Sequence, residues 1–250
     1  MLRTILMMLF IIVFFILSIP LFLIEWIVGK INPKARDRSL LAIVQPFCRF
    51  LLFLAGAQVT TIGLEKVPRD TCVLYVLNHR SMFDILLTLS QFPGPTGYVA
   101  KKELQKVPGL NMWITGMHGW FLDRENIREG LKIILACIDQ VKNGVSSVAI
   151  FPEGTRNKNP EDLPLLPFHE GSFKISLKTG CPIVPVCISG SIALFEKQFP
   201  KVRPSRVVVE YMDPIYPDTM DKEEKKQIGR QIRASMEETM RKNQAMIATE

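Results

Sequence analysis

Histidine is scarce in this chain, with only His79, His118 and His169, and none of them is clustered at metal-ligand spacing. The five cysteines, Cys48, Cys72, Cys137, Cys181 and Cys187, are odd in number and scattered, with no C-x-x-C pair. That pattern excludes a zinc site and a disulfide framework, and it reads as reduced core residues in a cytosolic setting; no metal is expected. Also missing are linkers, low-complexity runs and internal repeats that would divide the 250 residues. At 48% hydrophobic content the chain can bury one sizeable core, so one domain with an N-terminal appendage is the simplest organisation. The basic residues outnumber the acidic ones, 31 against 24, for a net charge of +7, but they are dispersed and no nucleic-acid recognition motif accompanies them. Nucleic acid is disfavoured as a partner, which leaves anionic membranes and acidic carrier molecules.

Charge is lacking altogether across residues 5–24, where only Ser18 and Pro20 interrupt Ile, Leu, Met, Phe and Val. About twenty such residues cross a hydrocarbon core. A cleaved signal peptide fits less well than an anchor, because Arg3 is a thin basic region and Glu25-Trp26 follows without an A-x-A-like site. Lys30, Lys34, Arg36 and Arg38 then form a basic turn, followed by a second apolar stretch over residues 40–57 that Gln45, Pro46 and Arg49 interrupt. The pattern fits either a spanning helix with an interfacial one behind it or a hairpin dipping into a single leaflet. Either way the expected location is the cell membrane, with the remaining domain on the cytoplasmic side.

Short, continuously apolar runs at residues 72–77, 98–100, 120–122, 148–151, 183–186 and 207–209 read as strands covered on both faces. Between them, Ile127, Leu131, Ile134, Leu135, Ile138 and Val141 recur at helical spacing and stop at Asn143-Gly144. A second helix is expected to end at Gly180. Near the C-terminus, Ile228, Ile232, Met236 and Met240 draw an apolar stripe along one helix face, as a helix docked on the domain would. Alternating strands and helices predict an α/β fold with a mostly parallel central sheet flanked by helices.

Polar side chains collect just past those strands. His79 and Asp84 stand five apart after the first, and a strand-to-helix turn would let them touch, which a continuous helix would not. Taken alone, the pair fits a catalytic base and a buried structural histidine equally well. The run Phe151-Pro152-Glu153-Gly154-Thr155-Arg156 leaves another strand in the same way, and ligands of open α/β sheets gather on the edge where strands end. Gly154 lets backbone approach an anion, Thr155 can donate to it, and Arg156 can grip phosphate with two prongs. Lys101 and Arg124 follow two further strands. Ser81 lacks the strained G-x-S-x-G surroundings of a serine nucleophile and reads as a structural or capping residue.

The blocks Asn78-His79-Arg80-Ser81-Met82-Phe83-Asp84, Lys101-Lys102-Glu103-Leu104, Gly119-Trp120-Phe121-Leu122-Asp123-Arg124, Phe151 through Arg156 and Cys181-Pro182-Ile183-Val184-Pro185-Val186 resemble the ordered motifs of the glycerolipid acyltransferases. The resemblance covers about residues 60–215 and divides the chain into membrane-anchoring helices at 1–58 and an acyltransferase domain at 59–250. It implies His79 as general base supported by Asp84, with Lys101, Arg124, Glu153, Gly154, Thr155 and Arg156 near an acceptor phosphate, and residues 182–186 lining a substrate pocket. It further implies acyl transfer from an acyl-carrier-protein or coenzyme A thioester to the sn-2 hydroxyl of lysophosphatidate, with no cofactor beyond that co-substrate. Another lysophospholipid or glycerol 3-phosphate as acceptor, a lipid hydrolase, and a non-catalytic lipid-binding module are the competing readings.

Overall fold

The fold was read from a computed structural model, which describes residues 1–123, 126–159 and 163–249. Helix α1 (Leu2–Ile31) and helix α2 (Pro33–Ala55) are separated by Asn32 alone. The Asn32 side chain accepts from the Ala35 N–H at 3.0 Å, and Pro33 takes the first helical position, where a missing N–H costs nothing. The basic segment expected as a turn is therefore mostly helix. The two helices fold back antiparallel: Arg3 Nη1 donates to the Leu54 carbonyl at 2.9 Å, Phe14 stacks on Phe47, and Ser39 Oγ donates to Glu25. Gly56, at φ 75°, supplies the left-handed residue that ends α2.

A seven-stranded sheet forms the centre, made of β1 (Ala57–Ile62), β2 (Leu74–Leu77), β3 (Thr96–Lys101), β4 (Trp120–Leu122), β5 (Ser147–Ile150), β6 (Ile183–Ser189) and β7 (Ser205–Tyr211). Their order is β1-β7-β6-β2-β5-β3-β4. All neighbours run parallel except β6 and β7, whose connection holds only short 3₁₀ turns and no crossover helix. The apolar runs at 72–77, 98–100, 120–122, 148–151, 183–186 and 207–209 thus all become strands. β1 had no such run, because it is an edge strand with alternating exposure, and the boundary expected after residue 58 falls inside it.

Alternation along the strands feeds two cores. Tyr75 and Leu77 of β2 face one, shared with Leu51, Leu52 and Ala55 of α2 and with Phe83 and Leu87 of helix α3 (Phe83–Leu89). Helix α4 (Leu110–Gly116) adds Trp113 beside Phe22, Leu40 and Cys48 on the same side. Leu74 and Val76 face the other core, covered by α5 (Ile127–Lys142), α6 (Lys174–Thr179) and α7 (Lys222–Thr249). Ile228, Ile232, Met236 and Met240 of α7 are all buried there, so the predicted stripe docks on the sheet. In α5 the outcome is mixed: Val141 is buried as expected, Leu131 and Leu135 point outward at 53% and 52% exposure, and Ile133 and Cys137 are buried in their place.

The N-terminal helices belong to this packing and do not trail from it. Gln45 Nε2 donates to the Phe92 carbonyl at 2.7 Å and Arg49 Nε to the Ser90 carbonyl at 3.1 Å, so the polar interruptions of α2 satisfy acceptors at the end of α3. α1 lies outside α2. In their most apolar stretches 17% of α1 is buried against 33% of α2, and Ile5, Leu9, Ile12, Ile16 and Leu23 of α1 are exposed. Because α7 closes the second core, Met236→Ala should cost about 2–5 kcal/mol of stability, measured by denaturant unfolding in detergent.

Candidate active site

Because β6, β2, β5, β3 and β4 are neighbours and parallel, their C-terminal ends share one edge of the sheet. Past β2, Asn78 pins the chain to β6, donating to the Ile188 carbonyl at 2.9 Å and accepting from the Ile188 N–H at 2.8 Å. His79 follows, in a loop that curls before α3 begins. That loop brings His79 Nδ1 to 2.9 Å from Asp84 Oδ2. Asp84 is fully buried; its Oδ2 also accepts from the N–H groups of Arg80 and Ser81, each at 2.7 Å, and its Oδ1 from Ser191 Oγ at 2.6 Å. A carboxylate so surrounded acts as an acceptor toward Nδ1, which leaves the Nε2 lone pair as the basic position of the ring.

The turn after β5 grips the same histidine. Phe151 stacks on its ring with centroids 4.0 Å apart, the Asn157 N–H donates to the His79 carbonyl at 2.8 Å, and Glu153 Oε1 accepts from the His79 N–H at 2.8 Å. Glu153 Oε2 takes the Leu166 N–H at 2.9 Å. Both oxygens of this buried carboxylate accept from backbone, so Glu153 supports the His79 loop. Burial pushes its carboxyl above the ordinary range of 4.5, an effect that the His79 and Leu166 N–H groups offset in part. Gly154 has φ 69°, and a Cβ there would lie 2.9 Å from His169 Nε2, so both conformation and space ask for glycine.

Arg156 joins the two loops through a residue that the sequence motifs did not mark. Its Nη1 lies 3.2 Å from Glu196 Oε1, which also accepts from the Met82 N–H at 2.8 Å, while Glu196 Oε2 accepts from Ser81 Oγ at 2.6 Å. Ser81 Oγ in turn accepts from the Phe83 N–H at 3.1 Å, a structural contact, while the N-cap of α3 is Met82 and has no side-chain cap. Thr155 is exposed, and Lys101 is exposed and paired with Glu103 at 2.7 Å, so neither is drawn into this network. Arg124 lies outside the described residues. Residues 182–186, expected to line a substrate pocket, are all buried, 183–186 of them within the sheet, and β6 meets the site through Ser191 and Glu196, in the connection beyond its end. Ser191, a polar residue two past an apolar strand, was open to the same strand-end reasoning that found His79. Glu196 carried no such signal.

A family model described as acyltransferase matches residues 58–189, more than half of the chain, including the loops that carry His79 and Arg156. The chain belongs to the acyltransferase family. It is similar to the 1-acyl-sn-glycerol-3-phosphate acyltransferase of Saccharomyces cerevisiae, at 28% identity over 78% of this chain and 64% of that one. A second relative of the same description, from Salmonella typhimurium, is 30% identical over 66% of this chain and 65% of its own length. The match therefore spans less than two thirds of either relative. The fold is also similar to the crystal structure of the 1-acyl-sn-glycerophosphate acyltransferase of Thermotoga maritima, with a TM-score of 0.79 at 25% identity, over 100% of this chain and 96% of that one.

Within this acyltransferase, the raised carboxyl of Glu153 gives a pH signature. The cost of its buried charge is absent at low pH and grows as pH rises through the raised value, whereas the Glu153→Gln variant has no charge to bury. The glutamine side chain also presents an amide to one backbone N–H, so the variant should be less stable than wild type. The deficit should shrink from acidic to neutral pH, as thermal unfolding across that range would measure.

Proposed function

We propose that this acyltransferase moves a fatty acyl group from an acyl-carrier-protein or coenzyme A thioester to the sn-2 hydroxyl of lysophosphatidate, forming phosphatidate for phospholipid synthesis. The observation that carries the reading is the 2.9 Å contact of His79 with Asp84, beside an Arg156 whose position Glu196 fixes against the same loop. Neutral His79 takes the acceptor hydroxyl proton at Nε2 as the oxygen attacks the thioester carbonyl. Asp84 holds Nδ1–H in place and steadies the imidazolium that forms. The tetrahedral intermediate then collapses, the C–S bond breaks, and the proton passes from His79 to the departing thiolate. Ester and thiol replace alcohol and thioester, so the step balances without another reactant.

Arg156 supports a phosphate-bearing acceptor. One guanidinium nitrogen is pinned by Glu196, and among the described residues nothing else accepts from the group, which leaves its remaining N–H donors for phosphate. Holding the acceptor phosphate would set the sn-2 oxygen beside His79, and positioning of that kind supplies several kcal/mol of a barrier. Relatives that bear the 1-acyl-sn-glycerol-3-phosphate acyltransferase name support the choice of acceptor. For the membrane, α1 supplies a long exposed apolar face while α2 packs on the domain along its length, a combination that supports attachment in the membrane plane with the domain on the cytoplasmic side.

With lysophosphatidate and either thioester, His79→Ala should lower kcat by about 10²- to 10⁴-fold in a protein that still unfolds cooperatively, at a lower midpoint because buried Asp84 loses one of its four donors. Activity retained in that variant would refute the base assignment. Arg156→Ala should erode the preference for lysophosphatidate over an uncharged monoacylglycerol by about 10-fold or more, read as the ratio of the two kcat/KM values.

A further inference from the structure

The connection between β6 and β7 has an inner and an outer side. On the inner side, Glu196 ties to Ser81, Met82 and Arg156. On the outer side, Lys197, Phe199, Lys201 and Arg203 are exposed, and Phe199 is 73% exposed despite being wholly apolar. Among the described residues no carboxylate forms an ion pair with any of the three cations. Burial elsewhere in the connection holds this arrangement: Val202 and Leu194 are buried, and Phe195 packs on both Phe83 and Phe199.

The same connection rests on the first turn of α1. The Val202 N–H donates to Thr4 Oγ1 at 3.0 Å, and Pro204 packs against Gly56 beside the Arg3 guanidinium, which itself donates to the Leu54 carbonyl. Here Leu2 and Ile5 of α1 and Phe53 of α2 are all exposed. Phe199 and its flanking cations thus stand in a connection that rests on the end of the hairpin where Leu2, Ile5 and Phe53 are exposed. An apolar tip ringed by cations matches a bilayer boundary, where the ring enters the acyl region and the cations meet headgroup phosphates.

We propose that residues 197–203 form a second membrane contact, with Phe199 entering an anionic lipid surface and Lys197, Lys201 and Arg203 binding its headgroups. The proposal rests on the membrane attachment argued above and adds a purpose to it. Glu196 stands next to the contact and touches both the His79 loop and Arg156, so the mouth of the site opens where lysophosphatidate resides. An acidic carrier protein would engage the cations, but it would give no reason for an exposed Phe199 in a connection that rests on the apolar hairpin; the lipid surface accounts for both.

The test uses the full chain with a coenzyme A thioester and lysophosphatidate presented either in vesicles of phosphatidylcholine and phosphatidylglycerol or in non-ionic detergent micelles. Phe199→Ser, and the combination of Lys197→Gln, Lys201→Gln and Arg203→Gln, should each lower kcat/KM on vesicles by about tenfold and leave the micellar rate within about twofold of wild type. The charge variant should converge on wild type at high salt. Equal losses in vesicles and micelles, or none in vesicles, would overturn the proposal. So would an unchanged vesicle rate with a raised KM for an acyl-carrier-protein thioester, which assigns the cations to the carrier. Wild-type protein that fails to float with the vesicles would instead refute the membrane attachment itself.

Discussion

Three stretches of chain meet around the carboxylate of Asp84, which is fully buried and would be prohibitively costly there without donors. Its donors are His79 with the N–H groups of Arg80 and Ser81 from the loop after β2, and the Ser191 hydroxyl from beyond β6. Satisfying that one charge fixes the curl of the His79 loop and the start of α3, and it locks both to the end of β6. The His79–Asp84 pair and the local fold are therefore one construction: a backbone that misplaced His79 would also strand an anion in the core.

Two more carboxylates repeat the device on either side of His79. Glu153 closes the gap between the loop after β5 and the loop after β2 by taking one N–H from each of His79 and Leu166. Glu196 closes the gap to the β6–β7 connection by holding Ser81, Met82 and Arg156. Each carboxylate bridges loops that leave different strands, so the site has no freedom to open along the sheet edge unless a hydrogen bond to a charged group breaks, at about 1.5–3 kcal/mol each. Rigidity of this kind is what a base needs when its partner must be placed to within a few tenths of an ångström.

The division between legible and hidden features tracks the range of the interactions. Residues 183–186 and 148–151 announce buried strands because both faces of a central strand are covered, and His79, Asp84 and Arg156 announce themselves by standing at strand ends. β1 does not, since half of an edge strand faces water and the apolar run disappears. The role of Glu153 differs from the expected one because a carboxylate in a phosphate-like turn looks the same in sequence whether it faces a ligand or two backbone N–H groups. Glu196 is silent for a related reason: its partners Ser81 and Arg156 lie 115 and 40 residues away, and no local pattern encodes a contact of that separation.

The same logic links the anchor to the chemistry. Helix α3 is only seven residues long, too short to hold its shape without support at both ends. Asp84 sits in its first turn, bound to the His79 loop, while Gln45 and Arg49 of α2 take the carbonyls just past its last turn. The polar residues that interrupt the apolar run of α2 are the residues that keep α3 in place, and through α3 they hold Asp84. α1 is then left with its apolar face exposed, and α2 is the layer between it and Asp84. Under the proposed function, with an acceptor that lies in the bilayer, the hairpin that would set depth in the membrane would also set the position of the His79 base.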